Sequence, residues 1–156
     1  MKLKLGDPAP DFSVVDHRGR RVKLADFLGN RTLILYFYPK DFTSVCTAES
    51  CGFRDLYAGF ASSQIEVIGV SLDSADSHRR FAERYALPFS LVSDTSRTLT
   101  RTYGALSSIR SLLGLAKRVT YVIDLDGKIA GVFEGELNAL THVEGVRDLV
   151  KKLAAA

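Results

Sequence analysis

The only two cysteines of the 156-residue chain, Cys46 and Cys51, lie five positions apart in the stretch YFYPKDFTSVCTAESCGFRD. A free thiol is mostly protonated near neutral pH, and only its thiolate attacks. Cys46 follows an apolar strand and a turn begun by Pro39, which puts it in the first turn of a helix. There the unsatisfied backbone N–H groups and the positive end of the helix dipole favour a sulfur anion. A cation from elsewhere in the chain would favour it further. Arg118, at the mouth of the strand VTYVI, is the best placed, whereas Arg54 sits eight positions along the same helix and points elsewhere.

Thiolate character alone does not make a catalyst, because nucleophilicity falls along with pKa. Charge that develops on the substrate must also be met by donors. When a thiolate attacks a hydroperoxide, negative charge builds on the departing oxygen. Thr43 Oγ, the Cys46 N–H and the Arg118 guanidinium are candidate donors to the two peroxide oxygens, and Pro39 would shape the turn and shield the sulfur. The product is a sulfenic acid, which a second thiol can condense with to form a disulfide. Cys51 is the candidate resolving thiol. Five helical residues separate two Cα atoms by about 8.6 Å, and a disulfide spans at most about 7 Å. Closing the bridge therefore requires the first turn to unwind. If Cys51 is instead a core residue, the same chemistry needs an outside thiol.

The elements that must position these groups can be read from hydrophobic periodicity. Thr32–Tyr38 is β-branched, aromatic and apolar at every position, the pattern of a strand buried on both faces. A helix is expected from Ser44 to Ala61, a second central strand over Ile65–Leu72 and an amphipathic helix over Ser74–Ala86. Further along, Phe89–Val92 reads as a short strand and Thr98–Tyr103 as a short helix. Val119–Ile123 and Lys128–Phe133 read as a hairpin, with Asp126-Gly127 as a type I′ signal. A last helix covers Val143–Leu153. Val22–Leu24 pairs back on Phe12–Val15 in an N-terminal hairpin. Strands alternating with helices imply an α/β fold, a mixed sheet sandwiched by helices. With neither repeat nor linker, residues 1–156 read as one domain.

Composition narrows the function classes. The formal charge is +3 with 46% hydrophobic and 25% charged residues, and the arginines are scattered, which argues against nucleic-acid binding. No apolar run approaches the roughly 20 residues of a membrane helix, and the N-terminus has no apolar signal core. A cytoplasmic location is the expectation, and two cysteines there point to redox chemistry rather than structural bridging. His17, His78 and His142 lack ligand spacing to either cysteine, so no metal is expected. Asp124 and Asp126 read as turn residues, and Phe42, Val45 and Phe89 as core or pocket wall. Ile109, Leu112, Leu113 and Leu115 form an apolar segment. If exposed, it could line a pocket for alkyl hydroperoxides or a dimer contact.

Pro39, Thr43 and Cys46 match the P-x3-T-x2-C motif of the peroxiredoxins, which this chain resembles. Arg118 in KRVTYVIDLDGKI matches their R-x-T-[FY]-x-I-D-x-x-G signature, and GDPAPDF at the start extends the likeness over nearly the whole chain. Cys51 resembles the resolving cysteine of the bacterioferritin-comigratory or Q-type subgroup. Ser44-Val45 stands where many of that subgroup have Pro-Gly. The resemblance implies a thioredoxin-like fold, thiol peroxidase activity on hydrogen peroxide and organic hydroperoxides, and reduction by thioredoxin or a related dithiol. It implies no cofactor, and a monomer or weak homodimer. Two other functions compete. A dithiol–disulfide oxidoreductase acting on proteins is disfavoured by the lack of C-x-x-C. A redox-sensing or holdase binding protein would use the fold without turnover.

Overall fold

Residues 3–59, 65–106, 112–135 and 139–155 are described by the structure, a computed structural model. Its centre is β3 (Thr32–Phe37), in which all six residues are buried. Successive side chains on a strand point to opposite faces, so Leu33, Leu35 and Phe37 enter one core while Ile34, Tyr36 and, just beyond, Tyr38 enter the other. Apolar character at every position is what two buried faces require, and it places β3 in the middle of the sheet.

The sheet order is β5-β4-β3-β6-β7, with β4 at Ile65–Ser71, β5 at Ser90–Ser93, β6 at Val119–Ile123 and β7 at Ile129–Glu134. β3, β4 and β5 run parallel, whereas β6 is antiparallel to β3 and to β7. The helices α1 (Ser44–Gly59), α2 (Ala75–Tyr85) and α4 (Ala139–Ala155) contribute Phe53, Phe81 and Val146 to the core on the Tyr36 side. The short α3 (Thr98–Thr102) and the hairpin of β1 (Ser13–Val15) with β2 (Arg21–Lys23) cover the other face. Asp16 pins this hairpin to the sheet: its carboxylate accepts from Ser90 Oγ at 2.9 Å and from the Arg18 and Arg20 N–H groups. Burial works against that charge, but these hydrogen bonds outweigh it and hold Asp16 below the usual aspartate range.

The expected elements are present, with three differences. The last helix begins at Ala139, four residues before Val143, because Ala139 and His142 are already buried. The expected end of α1 at Ala61 lies outside the described residues. The β6–β7 turn is not type I′. That geometry needs positive φ at both central residues, and of Leu125, Asp126 and Gly127 only Gly127 has it, at +79°. The Gly127 N–H donates to the Asp124 carbonyl at 3.0 Å, and Asp124 Oδ1 accepts from the Asp126 and Lys128 N–H groups. A three-residue loop closed by a left-handed glycine results.

Candidate active site

β3 leads through Tyr38 into the loop 39–43, and α1 starts at Ser44. The register that pairs Phe37 with Val119 brings Arg118, one residue before β6, level with the start of this loop. Two strands thus carry the thiol and the guanidinium to the same end of the sheet from positions 72 residues apart.

Cys46 is fully buried in the first turn of α1. Arg118 Nη2 donates to its Sγ at 3.1 Å, and Nη1 donates to Glu49 Oε1 at 2.7 Å. Cys46 and Glu49 are three apart and share a helix face, so one planar fork reaches both. Burial opposes the guanidinium charge, but Glu49 and Cys46 outweigh it and raise the Arg118 pKa above the ordinary arginine range. Arg118 therefore meets Cys46 and Glu49 at once, and Glu49 is wholly buried. His142 Nδ1 lies 3.5 Å from the second Glu49 oxygen and 3.2 Å from Thr120 Oγ1, which extends the polar chain to α4.

Thr43 is exposed, and its hydroxyl donates to the Lys40 carbonyl at 2.9 Å. With its proton so placed, the hydroxyl presents lone pairs rather than the donor that was expected. The Thr43 carbonyl accepts the Thr47 N–H at 2.8 Å, which starts the helix. Pro39 is partly buried at the turn. Cys51 is half-buried on α1, and both thiols are free. Both also lie within one continuous helix, the wound arrangement whose Cα separation is about 8.6 Å. Beside Cys51, Ser50 Oγ meets Tyr36 OH at 2.9 Å, both atoms buried.

His78 and Phe42 prove central to the loop. His78, assigned from the sequence to a charged helix, is wholly buried with its Nδ1 2.8 Å from Asp41 Oδ2. The available signal was its helical spacing with Phe81, Ala82 and Tyr85, which marks the core face of α2. Phe42, expected in the core or a pocket wall, is 47% exposed, while Phe89 is buried. Phe42 also has φ +67°, a left-handed backbone that a bulky residue rarely adopts, costing on the order of 1–3 kcal/mol. Leu112 and Leu113 are exposed, Leu115 is half-buried and Ile109 lies outside the described residues. Among the described residues no helix is long and apolar enough to cross a membrane.

Comparison with known proteins agrees with this geometry. Residues 5–132 match the AhpC/TSA family. A chloroplastic peroxiredoxin Q from Sedum lineare is 36% identical over 97% of this chain and 80% of its own length. The crystal structure of peroxidoxin BcpB from Mycobacterium tuberculosis superposes with a TM-score of 0.87 at 32% identity, covering 97% of this chain and 98% of that one. The bacterioferritin comigratory protein of Xanthomonas campestris, whose structures address alkyl peroxide reduction, gives a TM-score of 0.82 at 28% identity over 97% and 98% of the two chains. The chain belongs to the AhpC/TSA family and, within it, to the peroxiredoxin Q and bcp group with its thioredoxin-like fold.

Proposed function

We propose that this peroxidase reduces hydroperoxides with Cys46 as the attacking thiolate and Cys51 as the resolving thiol. The observation that carries the reading is the Arg118 fork, which donates to the Cys46 sulfur and to buried Glu49 at once. A guanidinium held in this way stabilises negative charge first on sulfur and then on the peroxide oxygens. The sulfur attacks the terminal oxygen, the O–O bond breaks, and the alcohol or water that departs takes a proton. Thr43 Oγ, its own proton on the Lys40 carbonyl, accepts the peroxide O–H and aligns the O–O bond with the sulfur. Arg118 and the Cys46 N–H donate to the oxygens, and Pro39 keeps water from the thiolate.

Cys46 is then a sulfenic acid. The Cys51 thiolate attacks that sulfur, hydroxide leaves as water and a disulfide forms, once the first turn of α1 has unwound. A dithiol such as thioredoxin supplies the two electrons that restore both thiols. Residues 1–156 act as one domain in the cytoplasm, as a monomer or weak homodimer, with exposed Leu112 and Leu113 offered to alkyl hydroperoxides or to a second copy.

Thiol titration and intact mass after one equivalent of hydrogen peroxide test the scheme in wild type and Cys51→Ser. Loss of both thiols and about 2 Da in wild type, with a gain of about 16 Da in the variant, is the expected result. A wild type that keeps one free thiol removes Cys51 as resolver and leaves a one-cysteine peroxidase. No reaction in either protein within minutes would move the binding-protein reading forward.

A further inference from the structure

The loop that carries Pro39 and Thr43 is anchored through its middle residue. Asp41 is 4% exposed, and four residues meet it, two from α2 and one each from the segments that follow β3 and β4. Tyr38 OH donates to Oδ1 at 2.6 Å, and Ser77 Oγ and His78 Nδ1 meet Oδ2 at 2.8 Å each. The Asp41 backbone N–H donates to Asp73 Oδ2 at 2.9 Å. His78 is braced from behind, with Nε2 3.1 Å from the Val92 carbonyl of β5. Both ring nitrogens of His78 thus stand against oxygens, Nδ1 against the Asp41 carboxylate and Nε2 against the Val92 carbonyl, which fixes the plane of the ring. Asp41, Asp73 and His78 stand close enough together to suggest a cation site. The donors argue otherwise, because Asp73 Oδ2 also takes the Ser71 hydroxyl at 2.6 Å, so the atoms that would bind a cation already accept protons or donate them.

Immediately after Asp41 comes Phe42 in its left-handed conformation, its ring packed on Phe81 and Tyr85 of α2 at centroid distances of 5.1 and 6.3 Å. Such a backbone persists only where its surroundings over-determine it. Asp41 on one side and the aromatic contacts on the other provide that constraint, and Thr43 is the next residue. We propose that Asp41 and His78 are positioning residues for peroxide reduction: through the strained Phe42 they fix where the Thr43 hydroxyl stands relative to the Cys46 sulfur. The proposal rests on the peroxidase reading above. It predicts a defect confined to peroxide, since the hydrogen bonds that hold Asp41 come from Tyr38, Asp73, Ser77 and His78, whereas Arg118 and α1 hold the thiol itself. A misplacement of about 1 Å in such an alignment costs on the order of 10²-fold in rate.

The experiment compares two reactions of Cys46 in the full chain carrying Cys51→Ser, oxidation by hydrogen peroxide and alkylation by iodoacetamide. Alkylation reads the thiolate and its accessibility and needs no alignment by Thr43. In Asp41→Asn and His78→Gln, oxidation is expected to slow at least ~10-fold while alkylation stays within about 2-fold of the parent. Tyr38→Phe and Ser77→Ala, which each remove one donor, should show smaller falls in the same direction, and they carry the test if the first two variants do not fold. Oxidation within 2-fold of the parent in folded variants overturns the inference, as does an equal fall in both reactions. A parent that does not react with peroxide at all refutes the peroxidase reading itself, so the two failures are distinct.

Discussion

Replacing Arg118 by Met removes a buried cation from between Cys46 and Glu49 and separates its structural role from its chemical one. Arg118 is 3% exposed and Glu49 is wholly buried, with 2.7 Å between their charged atoms. Removing one partner from such a pair costs about 3–5 kcal/mol, because the remaining charge stays in the interior. Against a total stability of about 5–15 kcal/mol the variant still folds. At roughly 2–4 °C per kcal/mol, its melting temperature falls by about 6–20 °C. Oxidation of Cys46 by peroxide also loses a donor to the developing charge, which is worth about 10²–10³-fold. The companion variant Arg118→Met with Glu49→Met removes both charges. Apolar residues in place of a buried pair are often neutral or stabilising, so most of the stability should return while oxidation stays at least ~10²-fold slow. The assays are thermal and urea unfolding, and peroxide oxidation followed by thiol labelling, since the chain has no tryptophan to report it. A double variant that recovers its rate along with its stability would show that Arg118 acts only through folding. A single variant within ~1 kcal/mol of wild type would refute the buried-pair argument.

Thr43→Val keeps the shape of an exposed residue and removes the hydroxyl that donates to Lys40; peroxide oxidation should fall by about 10²-fold with iodoacetamide alkylation unchanged, and equal falls would count against the alignment role. His17 is held below the ordinary histidine range by burial and by Arg18, and its Nδ1 accepts the Leu91 N–H at 3.1 Å, so the folded state needs it neutral. Between that lowered pKa and the unfolded value near 6.5 the unfolded chain binds more protons, so this contribution is complete above about pH 6.5 and is lost as pH falls through the folded pKa. Urea titrations at pH 7.5 and 5.5 should show that loss in wild type and less of it in His17→Gln, and equal slopes would dismiss His17 as the cause. A Cβ on Gly69 would stand 2.7 Å from Tyr36 Cζ and 2.8 Å from Leu91 Cδ2, so Gly69→Ala should cost about 1–3 kcal/mol in chemical unfolding by overpacking the centre of the sheet, and a neutral outcome would mean the core yields there. Arg118→Lys keeps the charge but not the fork, so oxidation should slow at least ~10-fold while each sulfenate is resolved more often and overoxidised less. More sulfinic acid per turnover would contradict that.

Much of the framework was legible because it follows from single-residue properties. Thr32–Phe37 is apolar on both faces, and only a central strand buries both. Cys46 opens a helix because a proline turn and a run of helix-compatible residues surround it. What was not legible depends on partners distant in sequence. By type alone Glu49 fits either an exposed helix face or a partner for the arginine, and His78 fits a charged helix; both are buried because Arg118 and Asp41 reach them from 69 and 37 positions away. The start of α4 was missed for a related reason: Thr and His have modest helix propensity, but His142 gains a place beside Thr120 and Glu49. The turn after β6 was misread because Asp-Gly signals a type I′ turn only when both residues take positive φ. Here the Asp124 side chain captures two N–H groups and enlarges the loop.

In the proposed scheme, the contacts that would prepare Cys46 for peroxide also stand in the way of its resolution by Cys51. The C-terminal part of α1 is fastened by Phe53 and Leu56 in the core and by the Ser50–Tyr36 hydrogen bond. Its first turn begins at exposed Ser44 and half-buried Val45. Between Ser44 and Glu49 only Cys46 and Glu49 are buried, and Arg118 holds both. Unwinding from the N-terminal end is therefore the easier route, and Arg118 must release two partners for Cys46 to reach Cys51. Oxidation of the sulfur weakens that hold, because a sulfenic acid is neutral where the thiolate was charged, and charge-assisted hydrogen bonds are roughly twice as strong as neutral ones. The reaction itself thus loosens the helix that made it possible. In that scheme the fork keeps the turn wound in the thiolate state, and in the neutral sulfenic acid state the remaining Arg118–Glu49 contact sets how readily it opens.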